Sequence, residues 1–150
     1  SLTRQGISRL LMLNAHGGNE FKPLVRDLQA RFDILIVVVN FWQMIPQDVE
    51  RIFDEPGDHA GELETSLLLH LRAGWVAMDQ AGVGQSIPFK ISSLKQPGVW
   101  TPRPWSKCQP DTGAGDPRSA SADKGRRYFE RVTTAIADIM VELSSASEII

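Results

Sequence analysis

Hydrophobic and polar positions alternate along this chain in blocks that change rhythm from strand to helix and back. The run Leu10, Leu11, Met12 and Leu13, halted by Asn14 and the Gly17-Gly18 pair, predicts a short strand over residues 7–13. Phe21, Leu24, Val25 and Leu28 then fall on one helical face, predicting a helix over 21–31 with Asn19 as its N-cap and Glu20 placed to answer the helix dipole. Residues 34–39 form a β-branched block without alternation, which predicts a strand over 33–40 covered on both faces. Strand, helix, strand in this order is a βαβ unit, whose right-handed crossover requires a parallel sheet with helices packed on it.

Further along, Pro46 opens a predicted short helix over 46–53, ended by Glu55-Pro56-Gly57. Leu63, Leu67, Leu68 and Leu71 share a face and predict a buried helix over 62–71. Periodicity then fades from about 74 to 117, where Gly, Pro, Ser and Trp dominate. A segment this long without pattern points to a lid or an interface. Tyr128, Phe129, Val132, Ile136, Ile139, Met140 and Leu143 restore helical spacing and predict a final helix over 120–143. One domain over 1–150 is expected, of α/β class.

Charge and cysteine usage narrow the functions this fold could carry. With 16 basic and 18 acidic residues spread along the chain, no basic stripe is available to neutralise a phosphate backbone, so nucleic acid is not expected as a partner. Apolar runs are all far shorter than the ~20 residues that span a bilayer, so no membrane association is expected. The lone Cys108 has no partner for a disulfide, which fits a reducing cytoplasmic setting. It sits in a Pro-rich loop with no His nearby in sequence, a poor position for a nucleophile, and no G-x-S-x-G elbow is present.

Two constellations remain. Asn14-Ala15-His16-Gly17-Gly18-Asn19 falls where a strand ends and a helix begins, the place at which open α/β sheets bind ligands. His16 can offer a ring nitrogen to a divalent ion, and Gly17 and Gly18 let backbone approach a metal or substrate closely, although a His beside glycines also suits a plain surface loop. The second constellation, Asp58 to Ser66, lies at the mouth of the 62–71 helix. His59 and Glu62 are three apart and project to one side, as neighbouring ligands or an acid/base pair must. A helix N-terminus favours carboxylates and a neutral imidazole. Capping by Asp58, with Glu62 and Glu64 answering the dipole, would explain the acids but does not require His59. Gly57, Gly61 and Trp42 would rim a pocket, though a Trp there is more often a core residue. Trp100 and Trp105, flanked by Pro102 and Pro104, either cover a pocket or bury a subunit interface.

The runs LNAHGGNE (13–20), HAGELETS (59–66) and GDPRSASADKG (115–125) resemble, in order and spacing, the creatinine amidohydrolase (creatininase) family. The resemblance covers nearly the whole chain. It implies a three-layer α/β/α enzyme with a mainly parallel sheet, usually homo-oligomeric, holding two divalent ions (zinc, manganese or iron) and a bridging water that attacks a C–N bond of a small-molecule amide. By position, His16 matches the family's metal-binding His, His59 its proton-transferring His, and Trp42 an aromatic beside the substrate. Gly18 stands where creatininase itself has a metal-binding Glu, and Glu62 stands where it has an apolar residue. Glu62 is therefore expected to supply the lost ligand as well as to act with His59. A second substrate-side Trp is absent, with Glu55, Pro56 and Gly57 in its region, so a cyclic amide, formamide or peptide-like bond is expected in place of creatinine. The family's remaining ligands, a Glu, a His and an Asp, have no counterpart. The chain is expected to be the larger, C-terminal part of the fold, inactive unless another polypeptide completes the site. The alternative is a non-catalytic fragment serving as a binding or assembly module.

Overall fold

The computed structural model describes residues 2–148. They form two compact units, Ser1–Pro46 with Glu130–Ile150, and Gln47–Phe129.

The first unit carries the sheet. Strands β1 (Arg9–Asn14) and β2 (Leu35–Asn40) pair in parallel, in register from Arg9 opposite Leu35 to Asn14 opposite Asn40. Helix α1 (Lys22–Arg31) is the crossover between them, so the βαβ unit forms as the apolar pattern predicts. Its N-cap is Phe21 rather than Asn19, whose side-chain Nδ2 donates to Asn14 Oδ1 at 3.0 Å. Only Ile36 and Val39 of β2 are buried, and Leu13 of β1 is half exposed, so the described sheet is not sealed on both faces as its sequence suggests. Asn40 leads into a single 3-10 turn, Phe41–Gln43.

The second unit is helical and irregular. It holds α2 (Pro46–Ile52, all but its first residue), α3 (Glu62–Arg72), the short α4 (Trp105–Cys108) and the start of α5 (Ala122–Ser145). The predicted leucine face of α3 is only partly realised. Leu63 is buried, whereas Leu68 and Leu71 are exposed, and the other buried residues of the helix are Glu62 and Ser66. The small residues explain this: Ser66 and Gly125 let α3 and α5 approach until a Cβ on Gly125 would sit 1.9 Å from the Ser66 carbonyl oxygen. Ser66 Oγ accepts the Ser121 N–H at 3.1 Å, and Ser121 Oγ in turn caps α5 by accepting the Lys124 N–H at 3.2 Å. Phe53 and Tyr128 meet edge to face at 5.6 Å and are both buried. Burial pushes the Tyr128 hydroxyl up to about 12. Between α3 and α5 the chain is largely irregular, broken by 3-10 turns at Ala73–Trp75, Met78–Gln80 and Ser92–Lys95. No helix among the described residues is long and apolar enough to cross a membrane.

Candidate functional site

In the first unit, the carboxyl ends of β1 and β2 are tied by their last residues. Asn14, which is buried, donates from Nδ2 to Asn40 Oδ1 at 2.8 Å, while its own Oδ1 accepts the His16 N–H at 3.2 Å and the Asn19 amide at 3.0 Å. Asn40 Nδ2 donates onward to Gln43 Oε1 at 2.9 Å. Asn14 is thus the hub that shapes the HGGN loop, a role the sequence signalled only as a strand terminator.

The loop it holds brings together four of the expected residues. A Cβ on Gly17 would lie 3.8 Å from the Trp42 ring, and a Cβ on Gly18 would press on the His16 ring at 2.8–3.0 Å. Gly18 therefore makes room for the imidazole as well as for a ligand. Its N–H donates to His16 Nδ1 at 2.9 Å, which leaves Nε2 of this exposed ring as the nitrogen that faces outward. Trp42 is half-buried and packs edge to face on Phe41.

His59 and Glu62 belong to the second unit and part company there. Glu62 is fully buried at the first position of α3. Its Oε2 accepts the N–H groups of Asp54 and Glu55 at 2.9 and 2.8 Å, and its Oε1 accepts from Lys124 Nζ. The Lys124 ammonium completes its three bonds on Asp54 Oδ2 at 2.8 Å and the Ser119 carbonyl at 3.2 Å. Asp54 first, then Glu62, hold that ammonium charged above its ordinary range. The carboxylate expected to reach a metal thus has both oxygens engaged in joining the 54–55 turn, α3 and the start of α5. The capping role weighed for the helix mouth falls partly to Glu64, whose Oε2 accepts the Ala60 N–H at 2.6 Å.

His59 is half-buried, and its backbone is fixed from the irregular segment. It exchanges hydrogen bonds with Ala114, N–H to O at 3.0 Å and O from N–H at 2.8 Å, as an isolated antiparallel bridge. Ala60, next in sequence, is held at φ +49, its N–H on Glu64 and its carbonyl accepting from Thr65 Oγ1 at 3.2 Å. Such a left-handed residue without glycine's freedom is strained and needs that bracing. The bridge forms because glycines let three strands of chain converge. A Cβ on Gly61 would meet the Gly57 Cα at 2.7 Å and the Pro56 carbonyl at 2.8 Å, and one on Gly84 would overlap the Gly115 carbonyl. Gly61, expected at a substrate rim, is buried in this close approach.

A cavity of about 670 Å³ has Gly57, Asp58, Gly84, Arg103, Ala114 and Asp116 in its walls, so the residue before His59 and its bridge partner Ala114 line it. Arg103 pairs with the Asp58 carboxylate at 2.6 Å, and Arg118 holds the exposed Asp116 carboxyl down to about 2. Among the described residues no three His, Cys, Asp or Glu side chains come together in a group that could hold a metal ion.

Similar proteins place this arrangement in context. The chain is 32% identical over 128 residues to the mycofactocin precursor peptide peptidase of Mycobacterium ulcerans (strain Agy99), covering 81% of this chain and 43% of that protein. It thus spans less than half the length of the curated relative. A crystal structure from Bacteroides fragilis NCTC 9343, of a chain classed with the creatinine amidohydrolases, superposes with a TM-score of 0.91 at 37% identity, over 99% of this chain and 59% of that one. A creatininase variant complexed with creatine superposes with a TM-score of 0.72 at 25% identity, over 97% and 60% of the two chains. Zinc and manganese forms of creatininase share the fold at 24% identity, with TM-scores of 0.72 and 0.73. The family model for creatininase, creatinine amidohydrolase, matches residues 1–140, and the parallel βαβ unit and HGGN loop described above occupy its first part; this chain belongs to the creatininase family.

Proposed function

We propose that this chain supplies the proton-transfer part, and one metal-binding His, of a metal-dependent amidohydrolase that cleaves the C–N bond of a small amide, formamide or peptide-like substrate. The observation that carries this reading is His59, a half-buried imidazole whose backbone is bonded twice to Ala114 and whose ring nitrogens accept and donate no hydrogen bond among the described residues; both Ala114 and the preceding Asp58 line a cavity of about 670 Å³. A ring so held is free to hand a proton to a leaving nitrogen. As the C–N bond breaks, the nitrogen takes that proton and departs as a neutral amine, while the carbonyl carbon keeps the hydroxyl derived from water. Divalent ions, when bound, would supply an activated water of lowered pKa. His16 is the ligand this chain offers them, with the HGGN loop fixing its ring, and the other ligands would come from outside residues 2–148.

Glu62 takes a different part in this reading from the one its sequence position suggests. Buried and saturated, it anchors the 54–55 turn and α5 to α3 and so holds the chain that leads to His59. The peptidase relative and the zinc and manganese creatininases support amide hydrolysis with divalent metal for the complete protein. Loaded full-length protein should lose turnover on His59→Asn by about 10²–10⁴-fold, the usual worth of a general acid, with metal content unchanged. Unchanged turnover would remove His59 from the chemistry and favour a binding module.

A further inference from the structure

We propose that Trp105, from the irregular segment, is the positioning residue that aims the His59 ring; this rests on the proton-transfer reading of His59. The imidazole and indole rings meet edge to face, 4.9 Å between centroids and 84° between planes. That is the favoured geometry for an aromatic pair. Because no hydrogen bond reaches either imidazole nitrogen among the described residues, this contact is what fixes the ring about its side-chain torsions. A proton donor usually has its second nitrogen tethered to a carboxylate or carbonyl. Here an aromatic wall takes that place and leaves both nitrogens available.

Trp105 is itself fastened on two sides. Its indole N–H donates to the Thr112 carbonyl at 3.3 Å, and the Arg103 guanidinium lies 4.8 Å from its ring centroid. Arg103 also pairs at 2.6 Å with Asp58, the residue immediately before His59. Residues 103–114 therefore grip the 58–59 dipeptide three times, through Asp58, through the His59 ring and through the His59 backbone at Ala114. Glu64 and Thr65 set the backbone from the α3 side, so the ring direction is the one freedom left for Trp105 to remove.

The test uses the full-length, metal-loaded protein with Trp105→Leu and Trp105→Phe. In the wild type the indole ring current displaces the His59 ring-proton resonances, and assignment is made by their loss in His59→Asn. Trp105→Leu should return those resonances toward the values of a free histidine and lower kcat by about tenfold to a hundredfold, the scale of a misplaced catalytic group, with KM changed far less. Metal content should be unchanged. Trp105→Phe should restore most of both signals, because it keeps an aromatic ring at the same place. Resonances that stay put in Trp105→Leu would overturn the inference, as would resonances that move while kcat holds. If His59→Asn itself retains full turnover, the proton-transfer reading has failed, and the ring shift still decides separately whether Trp105 orients His59.

Discussion

Replacing Lys124 with Met isolates the role of the buried Glu62. The side chain of Glu62 has no exposure, and its carboxylate is met by two backbone N–H groups and one ammonium. Lys124→Met leaves the two N–H groups but strips the counter-charge, and removing one partner of a buried pair costs about 3–5 kcal/mol. The Lys124 side chain is 21% exposed, so water will enter the vacated space and the low end, about 3 kcal/mol, is expected. Asp54, by contrast, is 81% exposed, and Asp54→Asn should cost no more than about 1 kcal/mol. Adding Glu62→Gln to Lys124→Met removes the stranded charge yet keeps an oxygen to accept the Asp54 and Glu55 N–H groups. That double variant should recover about 2 kcal/mol of the loss, since a buried pair replaced as a whole is often close to neutral. Urea unfolding of the complete protein measures all three. With m near 1–3 kcal/mol/M, Lys124→Met should move the midpoint by about 1–3 M. A shift for Lys124→Met no larger than that for Asp54→Asn would refute the anchoring role, as would a double variant worse than Lys124→Met alone. Metal content of Glu62→Gln decides the competing role, because loss of metal there would make Glu62 a ligand after all.

Four further outcomes are open to measurement. The single tyrosine of this chain should ionise at about 12 when folded, followed by absorbance near 295 nm, and near its ordinary value of 10.0 when denatured. Both Tyr128 and Lys124 have folded values raised above the unfolded ones, so the stability they contribute is complete below about pH 10 and is lost as pH rises through the raised values; alkaline unfolding should begin there, and a flat stability from pH 9 to 12 would contradict the burial of Tyr128 and the pairing of Lys124 with Asp54 and Glu62. Gly61→Ala drives a methyl into the backbone of Gly57 and Pro56 and should destabilise by about 1–3 kcal/mol in chemical denaturation, whereas Gly17→Ala meets only Trp42 at ordinary contact distance and should be nearly neutral. Gly18→Ala presses on His16, so the imidazole must turn, and the complete protein should bind its metal more weakly by titration.

Much of the fold was legible because it follows local pattern. The apolar runs ending at Asn14 and Asn40 located both strands to within two residues, and the helical spacing around Tyr128 and Val132 located α5. What escaped depends on contacts between residues far apart in sequence. Asn19 reads as an N-cap, yet α1 begins only at Lys22 and the Asn19 side chain instead ties back to Asn14. Glu62 reads as a spare carboxylate until Lys124, two helices later, arrives on it. The role of Trp105 was left between pocket and interface because nothing local announces that it lies against His59. Cys108 reads as a loop thiol, yet it is buried at the end of α4.

The three motifs that mark the family do unequal work, and this bears on what the resemblance can transfer. In HAGELETS, Gly61, Glu62, Glu64, Thr65 and Ser66 each brace backbone or helix packing, whereas the His59 ring makes no hydrogen bond among the described residues. In GDPRSASADKG, Gly115 touches Gly57, Ser121 caps α5, Lys124 neutralises Glu62 and Gly125 admits α3. Most of the recognisable pattern is thus the packing code of one scaffold, which brings Asp58 and Ala114, the neighbours of His59 in sequence and across the bridge, into the wall of a cavity. If that cavity takes the substrate in the proposed reading, its walls would set substrate choice, and several of these, Val83, Gln85, Ser86 and Arg103, lie in the irregular segment outside all three motifs. Exchanging those four residues should therefore change which amide is cleaved while leaving folding and metal content in place, and competition assays with cyclic amides, formamides and short peptides against the parent protein would show it. A variant set that lost stability without altering preference would instead place specificity in the HGGN loop and Trp42.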